Sequence, residues 1–192
     1  MKIAILGWGS LLWDKRKDFE DQISNWEPGG PSLRLEFSRV SESRGNALTL
    51  VVDSENGTPC EVSYTFSGRS VPEDAICDLR CREGTTLKNI GFYFADSSKK
   101  NARDASVFES IKRWADSKDI NVVVWTDLIS NFKEKSTFKV SFSLENAVKH
   151  IQSLPPEGKA KAAEYVYRAP EFVNTPLRRA LQREPWFSQL LD

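Results

Sequence analysis

Two short stretches carry residue types that could do chemistry together. Trp8-Gly9-Ser10-Leu11 follows directly on the apolar run Ile3-Ala4-Ile5-Leu6-Gly7, and Arg82-Glu83-Gly84 stands some seventy residues later. A strand that runs into a Gly-Ser turn presents consecutive backbone N–H groups, a concavity suited to a carboxylate or a phosphate. A glutamate brought beside it could move a proton on whatever is held there. The plain structural alternative is that Gly9 permits a tight turn and Ser10 caps it. Glu83 falls in the last turn of a predicted helix, where the negative end of the macrodipole disfavours a carboxylate by about 0.3 to 1 kcal/mol. Burial and the dipole would favour its neutral form, as a general base needs, while Arg80 and Arg82 oppose this.

The rest of the composition excludes several chemistries. His150 is the single histidine, so a Ser-His-Asp or Cys-His device would have to be built on it. It lies in Leu144-Glu145-Asn146-Ala147-Val148-Lys149-His150-Ile151, which reads as an amphipathic helix without a nucleophile motif, and it is assigned to the helix surface. No GxGxxG or GxxxxGKS occurs, which removes the usual support for dinucleotide or P-loop binding. Cys60, Cys77 and Cys81 form no CxxC, so we expect reduced, mostly buried thiols and no metal site. Lys+Arg and Asp+Glu both number 27, leaving no net field to gather nucleic acid or anionic lipid. Lys15-Arg16-Lys17 and Arg178-Arg179 are read as solvated faces. No stretch approaches the roughly 20 apolar residues that span a bilayer, and the chain opens on a strand rather than a leader. No nucleic-acid partner, no membrane and a cytoplasmic location are therefore expected.

The elements that must position these residues divide into two halves. With 192 residues, 40% of them hydrophobic, the chain is long enough for one domain with a substantial core. Strand-like runs dominate first: 2–7, 33–41, 47–53, 61–66 and 89–95, with Ser54-Glu55-Asn56-Gly57 as an Asn-Gly turn joining the third to the fourth. Their close spacing predicts antiparallel neighbours. One helix interrupts them: Ser70-Val71-Pro72-Glu73 has capping-box spacing, Ala75, Ile76 and Leu79 form its apolar stripe with Cys77 as a further candidate, and Gly84 ends it. The second half predicts a helix over 103–118, a buried strand over 120–125, and helices from Ser143 to about 154 and from Glu157 to Arg168. Thr175-Pro176 opens a short helix through Leu181. Trp186, Phe187, Leu190 and Leu191 predict a packed helical tail.

The order and spacing of several motifs resemble the gamma-glutamylcyclotransferase-like superfamily, and within it the glutathione-specific branch. They are Gly7-Trp8-Gly9-Ser10-Leu11-Leu12-Trp13, Phe37-Ser38-Arg39-Val40-Ser41-Glu42-Ser43-Arg44-Gly45, Leu48-Thr49-Leu50-Val51-Val52, Gly57-Thr58-Pro59-Cys60-Glu61-Val62-Ser63-Tyr64 and Leu79-Arg80-Cys81-Arg82-Glu83-Gly84. The resemblance covers about residues 1–95. It implies an α+β fold, a small, mostly antiparallel β-barrel surrounded by helices, with a helical C-terminal extension. Residues 1–96 would carry the site, and 97–192 would complete and cover the barrel within a single domain. The implied reaction needs no cofactor: the α-amine of a γ-glutamyl group attacks its own γ-carbonyl, giving 5-oxoproline and a free amine or peptide. Glu83 would be the base. Trp8, Gly9, Ser10 and Leu11 would bind the substrate, with Ser41 and Arg44 as further contacts, Arg44 through a forked bond to a carboxylate. An ordinary strand-surface arginine is the alternative for Arg44. Trp8 stands where the family has tyrosine or phenylalanine, and Ser43 where the glutathione-specific branch has histidine, so the implied substrate is a γ-glutamyl compound rather than strictly glutathione. A non-catalytic ligand-binding module, or a related amide-cleaving enzyme, are the alternatives on the same scaffold.

Overall fold

The structure, a computed structural model, describes residues 1–191. In chain order its elements are β1 (Ile3–Gly7), α1 (Lys17–Glu20), β2 (Ser32–Ser41), β3 (Ala47–Val52), β4 (Thr58–Glu61), β5 (Ser63–Phe66), α2 (Pro72–Glu83), β6 (Ile90–Phe94) and β7 (Lys100–Asn101). They continue with α3 (Ala105–Ser117), β8 (Val122–Thr126), α4 (Phe132–Lys135), α5 (Leu144–Ser153), α6 (Pro156–Arg168), α7 (Pro176–Gln182) and α8 (Pro185–Ser188). This is an α+β chain, and its residues sort into two compact units. One is Met1–Leu33 with Glu61–Leu128, and the other is Arg34–Cys60 with the segment from Ile129 onward. No helix among the described residues is long and apolar enough to cross a membrane.

The first unit is built on a five-stranded sheet of order β5-β1-β8-β6-β7. β1 is buried along its whole length, and β8 offers Val122-Val123-Val124-Trp125, β-branched and aromatic residues that pack well on a pleated surface. Both are central strands covered on two faces, which is why they read as continuous apolar runs rather than alternations. β1 pairs antiparallel with β5 but parallel with β8, with Ile3, Ala4 and Ile5 opposite Val122, Val123 and Val124. That parallel pair lies outside the close-spaced strands for which antiparallel neighbours are expected, whose pairs β1–β5 and β2–β3 are antiparallel; strands so distant in sequence as β1 and β8 need no hairpin, so nothing local dictates their direction. Ala75, Ile76 and Leu79 of α2 pack onto Ile3, Ile5, Val122 and Val124. Burying Ile76 and Leu79 contributes about 1.5 to 3 kcal/mol each. Gly91 of β6 lies opposite Trp125, and a Cβ there would sit 2.0 Å from the indole Cε2, so glycine is what lets the ring lie flat against the neighbouring strand.

Two details of α2 differ from expectation. The helix starts at Pro72 with Val71 as its N-cap and no side-chain cap bond, so Ser70 does not form the capping box: the proline fixes the first helical φ one residue beyond its reach. Cys77 and Cys81 are exposed and only Cys60 is buried, because 77 and 81 lie off the 75/76/79 stripe. Gly84 ends the helix as predicted, left-handed at φ 59°, with its N–H on the Cys81 carbonyl and that of Thr85 on Arg80.

The second unit holds a three-stranded sheet of order β3-β2-β4. Among the described residues the strands form two sheets and no closed barrel. The Asn-Gly turn is present but makes no hairpin, because β3 and β4 flank β2 instead of pairing with each other. Asp53 organises it: its Oδ1 accepts the amides of Glu55 (3.1 Å) and Asn56 (2.9 Å), and its carbonyl accepts that of Gly57 (2.8 Å). A Cβ at Gly57 would meet the Asp53 and Arg34 carbonyls at 2.4 and 2.8 Å, so the turn is folded tightly across the start of β2. The caps read from sequence hold: Ser143 accepts the Asn146 amide, and Thr175 accepts that of Arg178 ahead of Pro176.

His150 is buried rather than on the helix surface, since Ala147, His150 and Ile151 share the inward face of α5. Its Nδ1 accepts the Thr137 amide at 3.1 Å, so the proton is on Nε2, which donates to the Asn46 carbonyl at 2.9 Å. Burial holds its pKa below the ordinary histidine value. Arg178 likewise is not a solvated charge: its guanidinium donates to the carbonyls of Pro170 (2.6 Å), Val173 (2.8 Å) and Ala169 (2.7 Å). Of the tail, Phe187 is fully buried, and the Leu191 side chain lies outside the described residues.

Candidate functional site

β1 delivers the chain into a 3-10 turn, Ser10–Leu12, with Gly9 as its N-cap. Within this turn the Gly9 carbonyl accepts the Leu12 amide at 3.0 Å. The Ser10 carbonyl accepts those of Trp13 at 3.2 Å and Asp14 at 2.7 Å. The amides of Gly9, Ser10 and Leu11 are those that such a turn cannot bond within itself. Side chains here are not all presented outward: Trp8 is 6% and Leu11 5% exposed, and Leu11 belongs to the core that α2 covers. Gly7 leaves no room for a Cβ, which would lie 2.6 Å from the Trp26 ring. The Leu11 side chain, being part of that core, is not what this segment presents outward, whereas Ser10 is half-buried.

The C-terminal turn of α2 is tied to this segment by one buried residue. Arg82 donates from Nη2 to the Ser10 carbonyl at 3.2 Å and to the Asp14 carbonyl at 2.7 Å. The same guanidinium lies 3.7 Å from an Asp14 carboxylate oxygen and 3.7 Å from Glu83 Oε1. Arg16 closes the arrangement by donating to the Arg82 carbonyl at 2.8 Å. Burial holds Arg82 below the ordinary arginine range, while Glu83 and Asp14 favour its charged form and Arg16 opposes it. Glu20 contributes a further buried carboxylate oxygen that has no hydrogen-bond partner.

Glu83 and the Trp8–Leu11 segment thus belong to one unit and meet through Arg82. The Glu83 side chain is 18% exposed, sheltered but reachable. Of the two arginines expected to offset Glu83, Arg82 does so, whereas Arg80 turns to the thiols of Cys77 and Cys81 at 3.5 and 3.4 Å. Sequence motifs do not mark Arg82 as the link; the signal for it is its place one turn beyond Leu79 on the buried face of α2.

Ser41 and Arg44 lie in the second unit. Ser41 Oγ is 3.2 Å from Ser43 Oγ, and the Arg44 guanidinium stands 5.0 Å from the centre of the Tyr165 ring. Gly45 beside it is left-handed, φ 62°, and a Cβ on Gly158 of α6 would come 2.5 Å from the Gly45 carbonyl. The Arg-Gly pair so has a packing role of its own, with Arg44 lying on an aromatic face. No group of three or more His, Cys, Asp or Glu side chains among the described residues converges as a metal-ligand set. Compared with protein families and with curated proteins, the chain matches no family model and no curated sequence.

Proposed function

We propose that the first unit carries the ring-closing chemistry of a gamma-glutamylcyclotransferase-like enzyme, acting on a small γ-glutamyl amide or peptide. The observation that carries this reading is the Arg82 guanidinium, which bonds the Ser10 carbonyl and lies 3.7 Å from Glu83, so that a sheltered carboxylate and an amide-bearing turn share one neighbourhood. Five-membered closure is favoured by proximity, so the protein has mainly to bend the substrate and manage one proton. The α-ammonium gives its proton to Glu83, and the freed amine adds to the γ-carbonyl. The oxygen of the tetrahedral intermediate is received by the Gly9, Ser10 and Leu11 amides. Glu83 then returns the proton to the leaving nitrogen and the C–N bond breaks; the second proton, left on the ring nitrogen by the addition, passes through Glu83 to the released amine, so 5-oxoproline departs as the neutral lactam with an ammonium product. The small, mostly antiparallel barrel implied by the resemblance belongs to the same proposal in an unclosed form, its strands being divided here between two sheets.

The test is 5-oxoproline release from γ-glutamyl dipeptides and from glutathione, comparing wild type with Glu83→Gln. Removing a positioned general base lowers the rate by about 100-fold to 10,000-fold. Equal turnover by both proteins removes Glu83 from the reaction. Thermal stabilisation by these compounds without any product makes the protein a binding module instead.

A further inference from the structure

A second feature of the first unit stands apart from Glu83: a cavity of about 600 Å³ against the outer face of α2, beside β6 and β7. None of Trp8–Leu11 or Glu83 lines it. Its floor is apolar, made by Ile76, Phe92 and Phe94, the two rings meeting edge to face with centroids 5.9 Å apart. Leu87 sits at the edge with 53% of its surface exposed, an aliphatic side chain that the fold itself leaves uncovered. Volume and lining match those of sites that enclose small organic molecules.

The charges around this floor are unequal. Three cations line the cavity, Arg80, Lys99 and Lys100, against one carboxylate, Glu73. Glu73 is engaged by Lys99 at 2.7 Å, and Lys99 also lies 5.4 Å from the centre of the Phe94 ring. Lys100 stands over Phe108 at 4.8 Å. Among the described residues Arg80 reaches the Cys77 and Cys81 thiols, at 3.5 and 3.4 Å, weak sulfur acceptors for a guanidinium whose fork suits a carboxylate far better. An apolar floor with an excess of positive charge at its edge fits a flat apolar body ending in one anionic group.

We propose that this cavity is a binding site for an aromatic monocarboxylate, its rings against Phe92 and Phe94 and its carboxylate on Arg80. Cys77 lines the cavity and Cys81, one turn on, does not, although their sulfurs are only 4.0 Å apart. The two exposed thiols are therefore a built-in pair of reporters, one covered by a bound ligand and one left open. The Arg80 and Cys81 hydrogen bonds hold the Cys77 thiol below its ordinary pKa, which makes it readily alkylated when the cavity is open.

The experiment uses 2-naphthoate and its neutral counterpart 2-naphthamide on the full chain. Titration by intrinsic fluorescence or calorimetry is expected to give saturable naphthoate binding, with naphthamide weaker by about tenfold. Arg80→Gln, a change on the exposed side of the helix, should weaken naphthoate by about tenfold and leave naphthamide unchanged. In wild type, saturating naphthoate should slow iodoacetamide labelling of Cys77 while that of Cys81 proceeds at its original rate, read site by site by mass spectrometry. The proposal is overturned if naphthoate fails to saturate below about 5 mM, if naphthamide binds equally well, if Arg80→Gln has no effect, or if both thiols are protected alike. None of these readouts depends on turnover at Glu83.

Discussion

Replacing Arg82 with methionine tests whether this one side chain joins α2 to the turn after β1. The arginine is 5% exposed and makes two bonds to main-chain carbonyls, at 2.7 Å to Asp14 and 3.2 Å to Ser10. Hydrogen bonds from a charged group are worth about 1.5 to 3 kcal/mol each, and the longer one belongs at the bottom of that range, so about 4 kcal/mol is lost with them. Against this, methionine removes a guanidinium whose Nε is buried without a partner, a group that costs about 1 to 3 kcal/mol. Asp14, a third exposed, keeps Arg16 at 3.4 Å once Arg82 has gone. The balance is a loss of about 1 to 3 kcal/mol, with Arg82→Lys losing about half of that, since one ammonium can keep the short bond to Asp14 but not both. Urea unfolding at unchanged slope measures the difference. Amide exchange locates it, because Trp13 and Asp14 both donate to the same Ser10 carbonyl and should exchange faster in the variant. Buried ions replaced by apolar side chains are often neutral or stabilising. A methionine variant within about 0.5 kcal/mol of wild type would place Arg82 in that class and refute the linking role.

Three further outcomes follow from buried groups. Burial raises the pKa of Glu36, against bonds from Thr175 and the Phe37 amide, so the folded chain holds this proton more tightly than the unfolded one. Its contribution to stability is full below about 4.5 and declines as pH rises towards the raised folded value; Glu36→Gln should abolish that decline, and a variant with the wild-type pH profile would exclude it. His150 acts with the opposite sign: its folded pKa lies below 6.5, so its contribution is present above 6.5 and is lost as pH falls through the lowered value. Because the two slopes oppose each other in the wild type, each is read as the difference between one variant and the parent across the acid range, with His150→Gln flattening the histidine's share. Gly91→Ala should lower stability by about 3 kcal/mol or more, as overpacking against a rigid neighbour does. The new methyl group would lie 2.0 Å from the fully buried Trp125 ring, and a calorimetric midpoint unchanged from wild type would show that the ring yields.

Sequence pattern located the elements better than it located their partners. The runs 2–7 and 120–125 announce strands because both faces of β1 and β8 are buried, yet nothing in either announces that they pair parallel, since that pairing spans more than a hundred residues. The Asn-Gly turn is equally clear, but a turn fixes local direction only, and β2 takes the place between β3 and β4 that a hairpin would have closed. Helix phase held more than was taken from it. Ala147 and Ile151 already mark the inward face of α5, and His150 lies on it; residue type suggested the surface, while position gave the interior. In α2, 75, 76 and 79 define a face that leaves 77 outside and brings 82 inside. An arginine on the apolar side of a helix must find acceptors within the protein, and those it finds are the carbonyls of Ser10 and Asp14. The Arg-Glu pair then divides its work: position 82 holds the helix end against the turn, and position 83 lies 3.7 Å from the same guanidinium. A substitution at 83 should touch chemistry with little effect on stability. One at 82 should disturb both, and that asymmetry distinguishes a built site from two motifs that merely neighbour each other.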